Sequence, residues 1–99
     1  MKDVVIHGTR LLTTDEVADS LLDYARVLNE FHRADTVRFP AVVDGSPRDT
    51  ALALGAHAPL VVIDAPEALP VRLRGAGEAA MDIRRRTAIL DDTGSVIAQ

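Results

Sequence analysis

Three histidines, three aspartates near expected strand ends and one run of arginines are the residues of this chain whose types could do chemistry. His7, His32 and His57 are its complete histidine set. Imidazoles act as acid–base groups, or as metal ligands when several donors converge. No pair here has the i, i+3 or i, i+4 spacing of a helical metal site, and no Asp or Glu cluster completes a ligand set. Each also has a structural place: His7 in a turn, His32 at a helix end, His57 in a loop. Asp44, Asp49 and Asp64 fall near strand ends, where paired carboxylates support acid–base chemistry. Asp44 and Asp49 serve equally as turn residues, and Asp64 precedes a Pro-containing turn. Ser20, Ser46 and Ser95 lack the context of a nucleophile elbow. The sequence thus names no catalytic residue, no metal and no cofactor.

Two further stretches could meet an anion. Gly75-Ala76-Gly77 ahead of a helix could expose backbone N–H groups, but Glu78 repels phosphate and the rest of a dinucleotide fingerprint is missing. Arg84-Arg85-Arg86 is the basic run of the chain, and with Arg72 and Arg74 it could form a patch for an acidic partner or RNA. Three consecutive helical residues point in three directions, and no aromatics are interleaved for base stacking. A solvated face explains the same residues.

The element on which the rest depends is Thr13 to Arg33. Val17, Leu21, Tyr24, Leu28 and Phe31 recur at steps of three and four, and Ala18, Leu22 and Ala25 widen the stripe. Asp15, Glu16, Asp19, Asp23, Arg26 and Glu30 occupy the other side. Thr13 with Glu16 fits a capping box, and Thr14 competes as N-cap. About 20 residues make a rod of roughly 30 Å. A helix this one-sided is marginal alone and needs a partner surface. Ahead of it, Val4 to Ile6 and Thr9 to Leu12 predict a hairpin turning at His7-Gly8. After it, Asp35 to Val43 is rich in strand formers; Pro40 implies an edge strand or a bulge there. Asp44-Gly45-Ser46-Pro47 predicts a turn. Residues 46–54 then return as a strand, favoured over a short helix because the turn sits between two runs. Leu60 to Asp64, between Pro59 and Pro66, predicts a buried strand, and Ala65 to Leu69 a turn. Val71 to Arg74 fits a short edge strand. Glu78 to Leu90 predicts a helix with Ala80, Ile83, Thr87 and Leu90 on one side. The competing reading makes 81–90 a strand that returns through Ser95 to Ala98.

Helices separated in sequence from tightly turned strands indicate an α+β fold. The expectation is an antiparallel sheet of about four to six short strands on one long amphipathic helix, with a second C-terminal helix. Ninety-nine residues allow one domain, here 1–94, with 95–99 as a loose tail. Hydrophobic residues make up 47% but aromatics only 3%, so the core is built from Val, Leu, Ile and Ala. The net charge of −4 disfavours nucleic acid and anionic membranes. There is no cysteine, hence no disulfide and no thiolate chemistry. Met1 to Ile6 is too short and too soon polar for a signal peptide, and no apolar run approaches a membrane span. These features predict a cytoplasmic protein.

Leu11-Leu12-Thr13-Thr14-Asp15-Glu16-Val17-Ala18 resembles the opening of excisionase-type winged-helix DNA readers. There a second, recognition helix follows a turn; here the apolar pattern continues unbroken to His32. Leu12 to Ala18, Ala34 to Val37 and Leu52 to Gly55 together are similar to small uncharacterised proteins of high-GC Gram-positive bacteria. That likeness spans about two thirds of the chain in structural motifs, and it implies a fold neighbour. The expected function is a non-enzymatic interaction module acting as a homodimer, since a small core with a marked edge strand gains burial by pairing. The alternatives are a small ligand-binding domain or enzyme with a polar cleft at Asp44, Asp64 and the histidines, and a nucleic-acid-binding regulator using Arg72, Arg74 and Arg84 to Arg86.

Overall fold

The computed structural model of the chain describes residues 1–55, 59–65 and 72–97. His57, Val71 and the expected turn beyond Ala65 lie outside these residues. The chain opens with an antiparallel hairpin of β1 (Lys2–Ile6) and β2 (Thr9–Thr13), with Val4 opposite Leu11. Its two-residue loop holds His7 at φ 48° and Gly8 at φ 79°. Two consecutive positive φ values match the twist of the flanking strands. Asp44 (φ 51°) and Gly45 (φ 81°) repeat the device between β3 (Ala34–Val43) and β4 (Ser46–Gly55). The return strand expected over 46–54 is present, and the short-helix alternative is not.

Between the hairpins runs α1 (Asp15–Glu30), shorter at both ends than the expected Thr13 to Arg33. Thr14 is the N-cap: its hydroxyl accepts from the Val17 N–H at 3.2 Å. Thr13 belongs to β2 instead, fully buried, and its hydroxyl donates to the Pro40 carbonyl at 2.9 Å. Strand alternation turns that side chain inward, so it is not available as a cap. At the other end the Arg33 N–H reaches back to the Leu28 carbonyl at 2.8 Å, and His32 takes φ 54°. Val17, Ala18, Leu21, Tyr24, Ala25 and Leu28 are buried as the spacing predicts, whereas Leu22 lies 45% exposed at the margin of the stripe. Each fully buried Val or Leu contributes about 1.5–3 kcal/mol.

The second helix, α2 (Ala76–Ile97), begins two residues before the expected Glu78 and continues past Leu90. The strand alternative for 81–90 is thereby excluded. Ala80 and Ile83 are buried against α1 and Thr87 and Leu90 half-buried, in one stripe. The Thr87 hydroxyl donates back to the Ile83 carbonyl. Residues 72 and 73 are not in a strand; Leu73 is buried while Arg72 and Arg74 are exposed.

Five strands form one antiparallel sheet in the order β4-β3-β2-β1-β5, where β5 is Val61–Asp64. β3 is therefore not an edge strand, and its register with β4 runs from Val43–Ser46 to Ala34–Gly55 without a bulge. Pro40 is accommodated by the hairpin's alternation. Residues flanking a two-residue loop exchange both backbone hydrogen bonds, and bonded and non-bonded pairs then alternate. Val43 and Ser46 flank the loop, so Pro40 opposite Asp49 is a non-bonded pair. Its missing N–H faces β2, where the register holds a single pair, Leu12 with Val42. By the same count the missing N–H of Pro47 faces the free edge of β4, which is where a strand tolerates proline.

β5 departs from expectation. Among the described residues it occupies the opposite edge, paired with β1, and Val61 and Ile63 are 50% and 43% exposed rather than buried. An uninterrupted apolar run does not distinguish a buried strand from an exposed association edge. The helices cover the sheet face bearing Val4, Leu11, Val37 and Phe39. Register places Val61, Ile63, Val5 and Leu12 on the other face, around an Arg10–Asp3 ion pair of 3.6 Å. No helix among the described residues is long and apolar enough to cross a membrane.

Candidate functional site

The polar cleft of the alternative reading, at Asp44, Asp64 and the histidines, does not assemble among the described residues. Asp44 sits in the β3–β4 loop, Asp49 faces Pro40 across the hairpin, and Asp64 lies 3.9 Å from Lys2 at the β5 end. Lys2 also pairs with Asp19 at 2.8 Å, tying the first strand to α1 and raising the lysine pKa through that hydrogen bond. His7 is in the first hairpin loop and His32 at the α1 terminus; His57 is outside the described residues. The Ser20 hydroxyl donates to the Val17 carbonyl within its own helix. Among the described residues no group of three or more His, Cys, Asp or Glu is placed to hold a metal ion.

A polar network absent from the sequence reading lies where α1, α2 and β3 meet. The Tyr24 hydroxyl donates to Asp35 at 2.7 Å, and Arg86 reaches the same carboxylate oxygen at 3.0 Å. Arg86 also donates to the Thr36 carbonyl and contacts Asp82 at 3.0 Å. Burial and the Asp35 carboxylate push the Tyr24 hydroxyl up to about 12. Burial opposes ionisation of Asp35, but hydrogen bonds from Tyr24 and Arg86 outweigh it and hold the carboxyl below its ordinary value. The two shifts stabilise the neutral hydroxyl and the ionised carboxylate, the forms in which Tyr24 donates and Asp35 accepts. The network joins three elements beside an open cavity of about 360 Å³ lined by Leu28, Arg33 and Ile89 as well. The signal for it was the single Tyr in the apolar stripe, because a buried tyrosine hydroxyl needs a partner.

The five arginines singled out in the sequence divide. Arg85 and Arg86 both pair with Asp82, and Arg86 turns inward to Asp35. Arg84 is exposed. Arg72 and Arg74 flank the buried Leu73 and line a groove of about 310 Å³ with Pro40, Pro47, Arg48 and Asp49. Arg74 precedes α2, and about 14 Å of helix rise separates the helix start at Ala76 from Arg85, so the two sets are distinct. Arg48 had no sequence signal: it lies far from Arg72 along the chain, and only folding brings them together. Gly75 takes φ 81° ahead of α2, and the first helical N–H, that of Ala76, is engaged by the Leu73 carbonyl.

Two other surfaces stand out. One is a cleft of about 690 Å³ where the two hairpins splay, with Ile6, Leu11, Leu52 and Leu54 on its walls. Five residues separate β4 from β5, which keeps the far end of β4 near the first hairpin. The other is the β5 edge with its half-exposed Val61 and Ile63. No family model, no curated protein and no solved structure matches this chain.

Proposed function

We propose that this protein is a non-catalytic association module, working as a homodimer joined through the β5 edge and the outer sheet face beside it. The observation that carries this reading is the exposure of Val61 and Ile63, 50% and 43%, on a strand that forms an edge of the sheet among the described residues. Monomeric sheets blunt their edges with prolines, charges or bulges. β5 is Val-Val-Ile-Asp, with its charge only at the last position. A second copy satisfies the unpaired backbone and removes apolar surface from water in one step. A two-fold contact is self-complementary and closes at two copies.

Light scattering of the purified chain at micromolar concentration tests the reading. The expected mass is twice the 10.6 kDa of the chain. A single species at 10.6 kDa across the concentration series overturns the dimer.

A further inference from the structure

Arg10, Arg26, Arg85 and Arg86 each pair with a carboxylate, whereas Arg33, Arg38 and Arg84 form no ion pair with a described residue and lie apart from one another on the surface. Arg48, Arg72 and Arg74 form no ion pair with any described residue, although they converge on one groove. The groove is held in shape from below. Leu73 is 8% exposed and anchors the segment between its two arginines, while Arg48 sits on β4, paired in register with Ala41. Pro40 and Pro47 give the groove a stiff apolar lining. Helix α2 starts two residues after Arg74, so its positive end adds to the same potential. Asp49 is the one acidic residue of the lining; it pairs in register with Pro40, on the sheet face opposite Arg48, and forms no ion pair with the three arginines.

We propose that this groove is a binding site for a small organic phosphate monoester. The phosphoryl oxygens engage the arginine forks, whose planar geometry suits bidentate contacts with phosphate. The apolar body of the ligand lies on Pro40, Pro47 and Leu73. The volume of about 310 Å³ fits one phosphoryl group with a compact substituent. This site is separate from the proposed β5 interface, and its test reads a different quantity.

Phenyl phosphate is the probe, titrated into isotope-labelled protein at low salt and followed by backbone amide shifts. Saturable shifts confined to the start of β4 and the segment entering α2 are expected, with phenyl phosphate binding tighter than inorganic phosphate. Arg48→Ala and Arg72→Ala each weaken binding about tenfold, the loss of one charge-assisted contact. Asp49→Asn tightens it, and Arg84→Ala, away from the groove, leaves it unchanged. Both arginine variants are at exposed positions, so their amide spectra otherwise report an intact fold. Non-saturating shifts, or an equal loss with Arg84→Ala, overturn the proposal. Tighter binding of a mixed-sequence oligonucleotide or of phosphatidic-acid vesicles through the same arginines overturns the small-molecule assignment.

Discussion

The two edges of the sheet are built on opposite principles. β4 is ten residues long and β5 is four. The longer edge is the greater hazard for unwanted pairing, and it carries the protection: Pro47, Arg48 and Asp49 occupy its first half. Its second half is tied into the core. Leu54 is 1% exposed, and Gly55 stands so close to the Arg33 carbonyl that an added Cβ would lie 2.2 Å from it. β5 has less of both: its charge is Asp64 at the last position, and Val62 alone of its residues packs against the core. Among the described residues it pairs with one neighbour, and it presents Val61 and Ile63 to solvent. The difference teaches that edge chemistry does not follow edge length: the longer strand carries proline and charge, and the shorter one exposes Val61 and Ile63.

The comparison can be broken most sharply at the anchored end of β4. Leu54→Ala should cost about 3 kcal/mol, seen as a lower urea midpoint, because it empties a filled core position. Gly55→Ala should cost about 2–3 kcal/mol, since φ +90° and the Arg33 carbonyl both oppose a side chain. A loss below about 0.5 kcal/mol for either would mean β4 is no better fixed than β5. On the other edge, Val61→Lys with Ile63→Lys should leave the folded chain intact and raise the dissociation constant of the proposed dimer more than tenfold. An unchanged mass by light scattering would remove β5 as the interface.

A smaller effect tests the network that fixes the start of β3. Asp35→Asn should cost about 1–2 kcal/mol at neutral pH. The folded-state pKa of Asp35 is depressed, so its contribution is present above the ordinary carboxylate value near pH 4 and is lost as pH falls. Tyr24 has the opposite sign. Its pKa is raised, so its contribution is present below about pH 10 and is lost as pH rises towards 12. Denaturation midpoints across pH should show both limbs, with Asp35→Asn flattening the acid limb and Tyr24→Phe the alkaline one. Smallest of all is Ala53→Lys on the exposed side of β4, expected within about 0.5 kcal/mol of the parent and without change in mass.

Much of the fold was legible because it rests on local rules. His7-Gly8 and Asp44-Gly45 fix two hairpins through loop dihedrals, and the apolar spacing from Val17 to Leu28 fixes α1. The boundaries were less legible. Thr13 and Thr14 are equivalent as caps by type, and strand alternation alone decided between them. Of the candidate site, Arg72 and Arg74 were visible as a local pair. Arg48 was not, nor was the link from Tyr24 to Asp35 and Arg86, because neither relation has a periodicity to detect.

Composition, turn chemistry and apolar spacing were enough to determine an antiparallel α+β domain with an Ile-, Val- and Leu-rich core around α1. These are properties of residues within a few positions of one another, and their energies act at short range. The tertiary structure decided which apolar strand is buried and which lies at the edge, and which arginines pair with carboxylates and which line one groove without an ion pair to a described residue. Both depend on contacts between residues distant in the chain, where burial and charge pairing are set by the whole fold and leave no trace in local sequence.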